Sequence, residues 1–397
     1  MRIAKFALLI VALTFPLMAA QAETDYLFFL GQDYHHLNST YWYPSVASQS
    51  APGTWHIQNL PTTNFVSGAL VGLPVGSTPY CFFFSGNTLT FAYLSGSTWI
   101  ESNVGTGTPA PLSPNSLTGV SVGGNAYLFY ITSNSHIEEI YGAGSSWHYA
   151  DLTTLTGALL ADAGSTIFAL YTNIYNVVYV SGQHVIDLSN NGSWHVTDLT
   201  GSAEFGAPNA NAGTSLTGFI FPTVYSGTWT YFRYMATDTL LHDLVWNGSN
   251  WSDENASNLS LAAHAAANTA QSAVAYVDCP YGPSECIYPD AANTFFLDQS
   301  QEVNQIRYNG NAWEWENLTS EAGAPAAETA GESLVSFTAL GGEEMFYIYG
   351  SQIEELRSPA NDGIAWSLTG TGAYTAEYCQ DYRCTAAPPV LTGFTIP

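Results

Sequence analysis

The sequence predicts an all-β protein, a seven-bladed β-propeller built from four-stranded antiparallel blades. Two observations lead to this fold class: a tryptophan motif that recurs seven times along the chain, and four strand-like runs within each repeat. A third observation is that the two chain ends complement each other, which indicates that the C-terminal strand joins the first blade and closes the ring.

The tryptophan motif recurs at intervals of 44 to 62 residues, at Trp55, Trp99, Trp147, Trp194, Trp251, Trp313 and Trp366. Six of these seven residues are followed four positions later by Asp or Asn, as Asp151 follows Trp147 and Asp198 follows Trp194. An Asp or Asn four residues after the tryptophan is expected to cap a turn rather than to bind a ligand. A tryptophan that occurs once per blade is first expected to pack between sheets.

The third repeat shows the four strand-like runs most clearly. Aromatic and β-branched residues dominate residues 117–122, 126–131, 136–141 and 147–152, and turns rich in Gly, Asn and Ser separate them. Four short strands in about fifty residues match one propeller blade. The Ala-rich segment 261–270 is the place where we expect a helical turn.

The two ends of the chain each supply part of a repeat. Residues 26–30 resemble a second strand, whereas residues 390–396 resemble first strands such as 216–219. The C-terminal run is therefore expected to complete the first blade and to cover sheet edges that would otherwise invite aggregation. Residues 23–397 are predicted to form a single propeller domain.

Residues 1–22 are predicted to be a signal peptide that is cleaved before Glu23. Arg2 and Lys5 precede an apolar run over residues 6–17, and the three residues before the cleavage point read Ala-Gln-Ala. An uncleaved N-terminal anchor is the alternative. We expect the mature protein to be secreted or periplasmic.

The charge balance excludes several classes of partner. The chain has 6 Lys and Arg against 32 Asp and Glu, a formal net charge of −26. Nucleic-acid binding needs clustered basic residues that neutralise phosphates, so we do not expect it. Anionic membrane surfaces are disfavoured for the same reason. A neutral partner, such as a neutral glycan, fits this charge best.

The cysteine spacing suggests two local disulfides in an exported chain. Cys279 and Cys286 bracket one short loop, Cys379 and Cys384 bracket another, and Cys81 is expected to be a small buried hydrophobe. These spacings are not those of a zinc site, and no metal or other cofactor is expected.

The repeat unit resembles the blades of the fucose-specific lectin superfamily. It reads His-hydrophobic-x-acid-hydrophobic, then a turn, then Trp-x-x-x-Asp-Leu-Thr, then Gly-Ala-Pro, as in residues 136–153 and 184–208. The resemblance covers nearly the whole mature chain, and seven blades are closer to the bacterial members than to the six-bladed fungal ones. It implies a secreted lectin with several shallow sugar sites between adjacent blades.

In that family, an Arg and a Glu of one blade grip sugar hydroxyls, and an aromatic ring of the next blade packs on the apolar face of the sugar. Carried over by position, the resemblance implies ligand-binding roles for Glu139, Asp187, Asp243, Gln305, Glu355, Trp55, Trp194, Trp251, Trp313 and Trp366. In the first two repeats, the acid position holds Asn38 and Phe91. The Arg position holds Tyr127 and Tyr231, with Arg233 two residues further along the same strand, so the fucose chemistry of the family does not transfer intact.

We therefore predict a secreted carbohydrate-binding protein for neutral glycans, fucosylated ones included, on cell-surface glycoconjugates. The alternative is a protein-binding or adhesion scaffold without a sugar site, because duplication alone also leaves repeated residues. An enzyme is not expected: Asp278, Glu343 and Glu344 are acids outside the repeat, but nothing in the sequence groups them.

Overall fold

Seven four-stranded antiparallel blades form a closed propeller, as the sequence predicts. The structure is a computed structural model. It describes residues 24–32, 42–51, 54–62, 66–105, 107–112, 116–201, 205–223, 227–267, 269–276, 291–308, 312–327, 334–339, 342–349, 352–358, 367–368 and 391–396. The predicted signal peptide and the four cysteines expected to form disulfides lie outside these residues.

The strands follow one another blade by blade along the chain. Blade 1 contains β1 (Thr24–Gln32), β2 (Trp42–Gln49) and β3 (His56–Asn59). Blade 2 contains β4 (Val66–Val75), β5 (Thr78–Ser85), β6 (Thr88–Ser95) and β7 (Thr98–Asn103). Blade 3 contains β8 (Leu117–Val122), β9 (Asn125–Ile131), β10 (Ile137–Ala143) and β11 (Ser146–Asp151). Blade 4 contains β12 (Ile167–Tyr171), β13 (Tyr175–Ser181), β14 (His184–Asn190) and β15 (Trp194–Asp198).

The same order continues to the C-terminus. Blade 5 contains β16 (Thr217–Thr223), β17 (Gly227–Met235), β18 (Leu241–Trp246) and β19 (Trp251–Asn255). Blade 6 contains β20 (Gln271–Tyr276), β21 (Ala291–Leu297), β22 (Val303–Tyr308) and β23 (Trp313–Asn317). Blade 7 contains β24 (Val335–Ala339), β25 (Gly342–Tyr349), β26 (Gln352–Ser358) and β27 (Ser367–Leu368), and β28 (Leu391–Ile396) returns to blade 1.

The C-terminal strand closes the ring. β28 pairs antiparallel with β1, so that Leu27 lies opposite Gly393, and it contacts the innermost strands β24 and β4 of the two neighbouring blades. The prediction that this strand completes the first blade is confirmed. Blades 1 and 2 are also linked directly, because Trp42 of β2 lies opposite Val66 of β4.

The hydrophobic core lies between the blades rather than at one centre. Side chains of a strand alternate between the two faces of its sheet, and each blade is covered on both faces. In blade 3, Leu128 and Tyr130 pack toward blade 2, whereas Phe129 and Ile131 pack toward blade 4. The second strands are therefore almost continuously apolar. Cys81, on the second strand of blade 2, is buried and free, as expected.

The Asp-Leu-Thr motif builds a capped helical turn after the outermost strand. Asp151 caps α1 (Leu152–Thr156), and its Oδ1 accepts the backbone N–H of Thr154 at 2.8 Å. Leu152 is fully buried, and Oγ1 of Thr153 accepts the backbone N–H of Ile137, the first residue of β10, at 2.8 Å. The motif thus ties the outermost strand to the third strand, and the turn-capping interpretation is confirmed.

The same turn recurs in blades 5 and 6. Asn255 caps α2 (Ala256–Ser260) and Asn317 caps α3 (Leu318–Ala322). The expectation of a helical turn within residues 261–270 is wrong: the turn precedes this segment, because the Asn cap and not the alanine content decides where it starts. No helix among the described residues is long and apolar enough to cross a membrane.

Two other motif residues have structural partners as well. Nδ1 of His184 lies 2.8 Å from Oδ2 of Asp198, which joins the start of the third strand to the turn after the fourth. The hydroxyl of Tyr234 donates to the carbonyl of Pro208 at 2.7 Å, so the Gly-Ala-Pro segment anchors the second strand. Most residues of the repeat signature therefore have a structural role, since they stabilise the blade.

Deleting residues 388–397 is expected to leave blade 1 without its innermost strand. The exposed edges of β1 and of the neighbouring inner strands should then promote association. Size-exclusion chromatography and thermal unfolding of the truncated protein check this. A soluble monomer that melts as cooperatively as the full chain would contradict the closure.

Replacing Thr319 by Val is expected to cost about 1–3 kcal/mol of unfolding free energy, because it leaves a buried backbone N–H without an acceptor. Thr319 is buried, and its Oγ1 accepts the N–H of Val303 at 2.7 Å. Thr319→Ser keeps the hydroxyl, as Ser257 does at the matching place in blade 5, and is the control. Urea denaturation of both variants measures the difference, and equal losses would contradict this role.

Candidate functional site

The predicted acid positions lie on third strands, and the predicted tryptophans lie at the outermost strand of the next blade. All five residues at the acid position are buried: Glu139, Asp187, Asp243, Gln305 and Glu355. The described tryptophans are half-buried: Trp55, Trp194, Trp251 and Trp313. Trp366 lies outside the described residues.

Two of the predicted acid–tryptophan pairs are in direct contact. Oε2 of Glu355 in blade 7 accepts a hydrogen bond from Nε1 of Trp55 in blade 1 at 3.2 Å. Glu139 in blade 3 lies opposite Phe129, the ring on which Trp194 of blade 4 packs, and the indole donor of Trp194 lowers the carboxyl pKa that burial raises. The alignment of repeats therefore brings the right residues together across both interfaces. In each pair the carboxyl lies below the surface.

A third pair meets through an arginine. Arg233 of β17 lies directly opposite Asp243 of β18, and its Nε and Nη2 donate to the two carboxylate oxygens at 2.7 and 2.5 Å. Both side chains are fully buried. The guanidinium carbon lies 5.3 Å from the ring centroid of Trp313 in blade 6. Asp243 and Trp313 are thus joined by a cation that bonds one and stacks on the other.

The remaining pairs differ. Asp187 accepts hydrogen bonds from Nδ2 of Asn176 at 3.1 and 3.3 Å, while Trp251 stacks on Phe232 of its own blade at 5.8 Å. Phe91, where the second repeat lacks the acid, is buried and packs against Trp147 at 5.4 Å. Asn38 lies outside the described residues.

Four of the recurring tryptophans pack on a phenylalanine in the second strand of the preceding blade. Their rings meet a phenylalanine edge-on, with centroids 5.6 to 6.0 Å apart, in the pairs Trp99–Phe28, Trp147–Phe82, Trp194–Phe129 and Trp55–Phe346. Phe129 lies opposite Glu139, just as Arg233 lies opposite Asp243. Arg233 therefore occupies the phenylalanine position of the repeat.

An open cleft of about 530 Å³ lies where this replacement occurs, between blades 5 and 6. Its lining residues are Asp253, Glu254, Asn255, Asn258, Leu259 and Trp313. Glu254 lies opposite Asp243 in the sheet and is therefore on the same face. Burial and the nearby Asp243 raise the pKa of Glu254, while Arg233 lowers it. The cleft combines an indole, two carboxyls and side-chain amides.

Sequence reasoning missed most of this lining. Glu254 directly precedes the capping Asn255, and Asn258 and Leu259 belong to α2, so only the three-dimensional turn brings them beside Trp313. Arg233 carried a signal, because it lies on the same strand and face as the expected arginine position. Its pairing with Asp243 follows from strand register, which the spacing alone does not fix.

Of the acids outside the repeat, Asp278 lies outside the described residues, and Glu343 and Glu344 do not converge on one site. Glu343 and Glu344 are fully buried neighbours that point to opposite interfaces. Glu343 accepts from Nδ2 of Asn293 in blade 6 at 2.6 Å, whereas Glu344 accepts from Nε2 of Gln49 in blade 1 at 3.0 and 3.1 Å. Within the described part of the chain, no three His, Cys, Asp or Glu side chains are placed to hold a metal ion.

Solved structures that share this fold include lectin propellers. A fungal lectin from Aleuria aurantia, described as a six-bladed β-propeller with a novel mode of fucose recognition, is 15% identical, with a TM-score of 0.52 over 77% of this chain and 96% of that chain. A lectin from Burkholderia pseudomallei is 15% identical, with a TM-score of 0.56 over 76% and 84%. A lectin in complex with α-methyl fucoside is 13% identical, with a TM-score of 0.51 over 76% and 95%.

No model of a protein family matches the sequence, and no curated protein matches it. Two of these neighbours are described with fucose recognition or a bound fucoside, in agreement with the resemblance seen in the repeats. At these identities, the likeness establishes the fold.

Stability is expected to be greater in mild acid than above neutrality. Burial raises the pKa of Glu139 and Asp187 to about 7, and burial together with Glu355 and Asp25 raises that of Glu344 to about 8. The folded state therefore holds protons at a pH where the unfolded chain has released them, so stability falls as the pH rises from about 5 to about 8. Melting temperatures across this range check the sign.

Asp187→Asn and Glu344→Gln keep the shape of each side chain but remove its titration. Each variant is expected to flatten the dependence of melting temperature on pH. A melting temperature that rises with pH in the unaltered protein would contradict this assignment.

Proposed function

We propose that this protein is a lectin-like propeller that binds neutral glycans, fucosylated ones included, in clefts between adjacent blades. The cleft between blades 5 and 6 is its principal site. The single observation that carries the proposal is the convergence of the Trp313 indole and the Glu254 carboxyl in one open cleft. An indole buries the C–H face of a sugar, and a carboxyl accepts its hydroxyls.

The charges around the cleft favour a neutral ligand. No Lys or Arg lines it. Arg233, which stacks on Trp313, is fully buried and already bound by Asp243 on two nitrogens. The ring of His242 is held by two aspartates, Asp253 and Asp238. An anionic sugar would therefore meet Glu254 without a compensating cation. The structural neighbours that recognise fucose make fucosylated glycans the first candidates.

The interfaces that hold Glu139 with Trp194 and Glu355 with Trp55 are proposed as further glycan sites, each offering a half-buried indole. Several weak sites on one ring would bind a surface that displays many glycans far more tightly than any single site does. Cell surfaces that display many glycoconjugates are the expected binding partners. We propose a secreted or periplasmic, non-enzymatic protein, on the strength of the predicted signal peptide and of the lectin propellers that share its fold.

A protein-binding scaffold is the second candidate. Its support is a set of leucines on the turns that connect one blade to the next: Leu155 is 64% exposed and Leu261 is 85% exposed. Protruding apolar side chains of this kind suit contact with another protein. A sugar site and a protein-binding face do not exclude each other. The turns and the cleft involve different side chains, except that α2 contributes Asn258 and Leu259 to the cleft.

Trp313→Ala is expected to weaken binding to an immobilised neutral glycan by about tenfold or more, which corresponds to about 1.4 kcal/mol of lost ring contact. A glycan array first identifies the ligand, and calorimetry then compares the variants. Trp315→Ala is the matched control, since Trp315 is exposed on the same strand but does not line the cleft. A folded protein that binds no glycan, or equal losses in both variants, would contradict the proposal.

A further inference from the structure

Two interfaces of the ring hold a tryptophan in the same way. In blade 7, Oε2 of Glu355 accepts a hydrogen bond from the indole N–H of Trp55 at 3.2 Å. In blade 3, Glu139 lies opposite Phe129, on which Trp194 packs; burial raises the pKa of this carboxyl, and the neighbouring indole donor of Trp194 lowers it. Each indole also packs edge-on against a phenylalanine of the same preceding blade. The indole of each tryptophan is thus contacted both at its polar N–H edge and on its apolar surface.

The carboxyls in these pairs are less accessible than the rings they hold. Glu139 is 6% exposed and Glu355 is fully buried, whereas both tryptophans are half-buried. A sugar hydroxyl that bonded Oε2 of Glu355 would have to compete with the N–H of Trp55, which lies 3.2 Å from that oxygen. The exposed part of each pair is the indole.

Blades 5 and 6 reach the same result with different chemistry. Arg233 replaces the phenylalanine, stacks on the Trp313 ring at 5.3 Å and is itself held by Asp243. The acid here acts on the arginine rather than on the indole. What the three interfaces share is a buried polar group that fixes a tryptophan of the next blade, by a hydrogen bond or by a cation–π contact.

We propose that Glu139 and Glu355 are positioning residues: each fixes the orientation of the indole of the next blade, and the ligand contacts the indole plane rather than the carboxylate. This inference rests on the proposed function and narrows its ligand class. The sugar that binds at these two interfaces presents an uninterrupted C–H face, and it needs no pair of hydroxyls placed to chelate a carboxylate.

The pH dependence of glycan binding distinguishes a carboxyl that positions the indole from a carboxylate that binds sugar hydroxyls. Burial raises the pKa of Glu139 to about 7, so this group changes its charge near neutrality. In its own sheet it lies opposite Phe129 and Ala150, and across the interface it faces Trp194 and Tyr175. The pKa of the Tyr175 phenol is raised by burial and, to a smaller extent, by Glu139, so this phenol stays neutral across the pH range of the test. A carboxylate that grips hydroxyls would lose affinity on protonation, whereas a protonated carboxyl still accepts an indole N–H through its carbonyl oxygen.

The experiment uses the full chain with ¹⁵N-labelled tryptophan indoles, and Trp194→Phe assigns the resonance of Trp194. α-Methyl fucoside, or the glycoside selected on the array, is titrated while this resonance is followed, which reads out one interface alone. Glu139→Gln keeps an acceptor for the indole, and Glu139→Leu removes it. Leu is also a tolerable replacement for a buried charge, so the variant is expected to fold.

The Gln variant is expected to keep both the Trp194 resonance and the affinity within about twofold, with little change between about pH 6 and 8. The Leu variant is expected to shift the resonance and to weaken binding by about tenfold. Glu355→Gln and Glu355→Leu, followed at Trp55, repeat the test at the ring closure.

The inference is overturned if Glu139→Gln loses binding while the Trp194 resonance stays in place, because the carboxylate would then touch the ligand. It is equally overturned if Glu139→Leu leaves the resonance unchanged. Failure of the proposed function gives a different result: the unaltered protein then binds no glycan. That result contradicts the claim about the ligand as well. The claim that Glu139 orients the indole is then decided by the resonance of the Leu variant alone.

Discussion

The packing of each blade against the second strand of the preceding blade is the interaction on which the ring depends, and at four interfaces a tryptophan makes it edge-on to a phenylalanine. A four-stranded sheet is twisted and cannot stand alone with two apolar faces in water, so each blade must be covered by its neighbours. Trp194 on Phe129 and Trp55 on Phe346 show the same contact at an internal interface and at the closure. The closing interface has the same contact as the internal ones. The ring therefore closes through a blade built from both ends of the chain and needs no other kind of contact.

This dependence explains why the repeat signature says more about architecture than about function. The Asp-Leu-Thr turn, the His–Asp contact and the Gly-Ala-Pro anchor each satisfy a backbone or side-chain group of the blade in which they occur. Functional differences are therefore expected where the repeat departs from its own pattern. Arg233 in place of phenylalanine is one such departure, and the open cleft lined by Trp313 lies beside it.

The fold was predictable because its signals are local and repeated. Strand-length aromatic runs, turn residues and the complementary ends determine the blades and the closing strand. Repeat alignment also predicted which tryptophan meets which acid, as Glu355 and Trp55 show. It did not predict that the acids are buried, or that Arg233 lies opposite Asp243, since both depend on register and on packing between blades. Nor did it place Glu254 and α2 in the cleft, because the cap at Asn255 turns the chain there.

The same scarcity of cations that favours a neutral ligand also shapes the interior. Among the described acids at the repeat position, Asp243 is held by arginine on both oxygens, whereas Glu139 relies on an indole N–H and Asp187 on an amide. Neutral donors offset less of the cost of burying a charge than a guanidinium does, so the pKa of each of these two groups is raised to about 7. A carboxyl in that condition is poorly suited to grip a ligand by its charge at neutral pH. It remains a good acceptor in either protonation state, which is the property that fixing an indole requires.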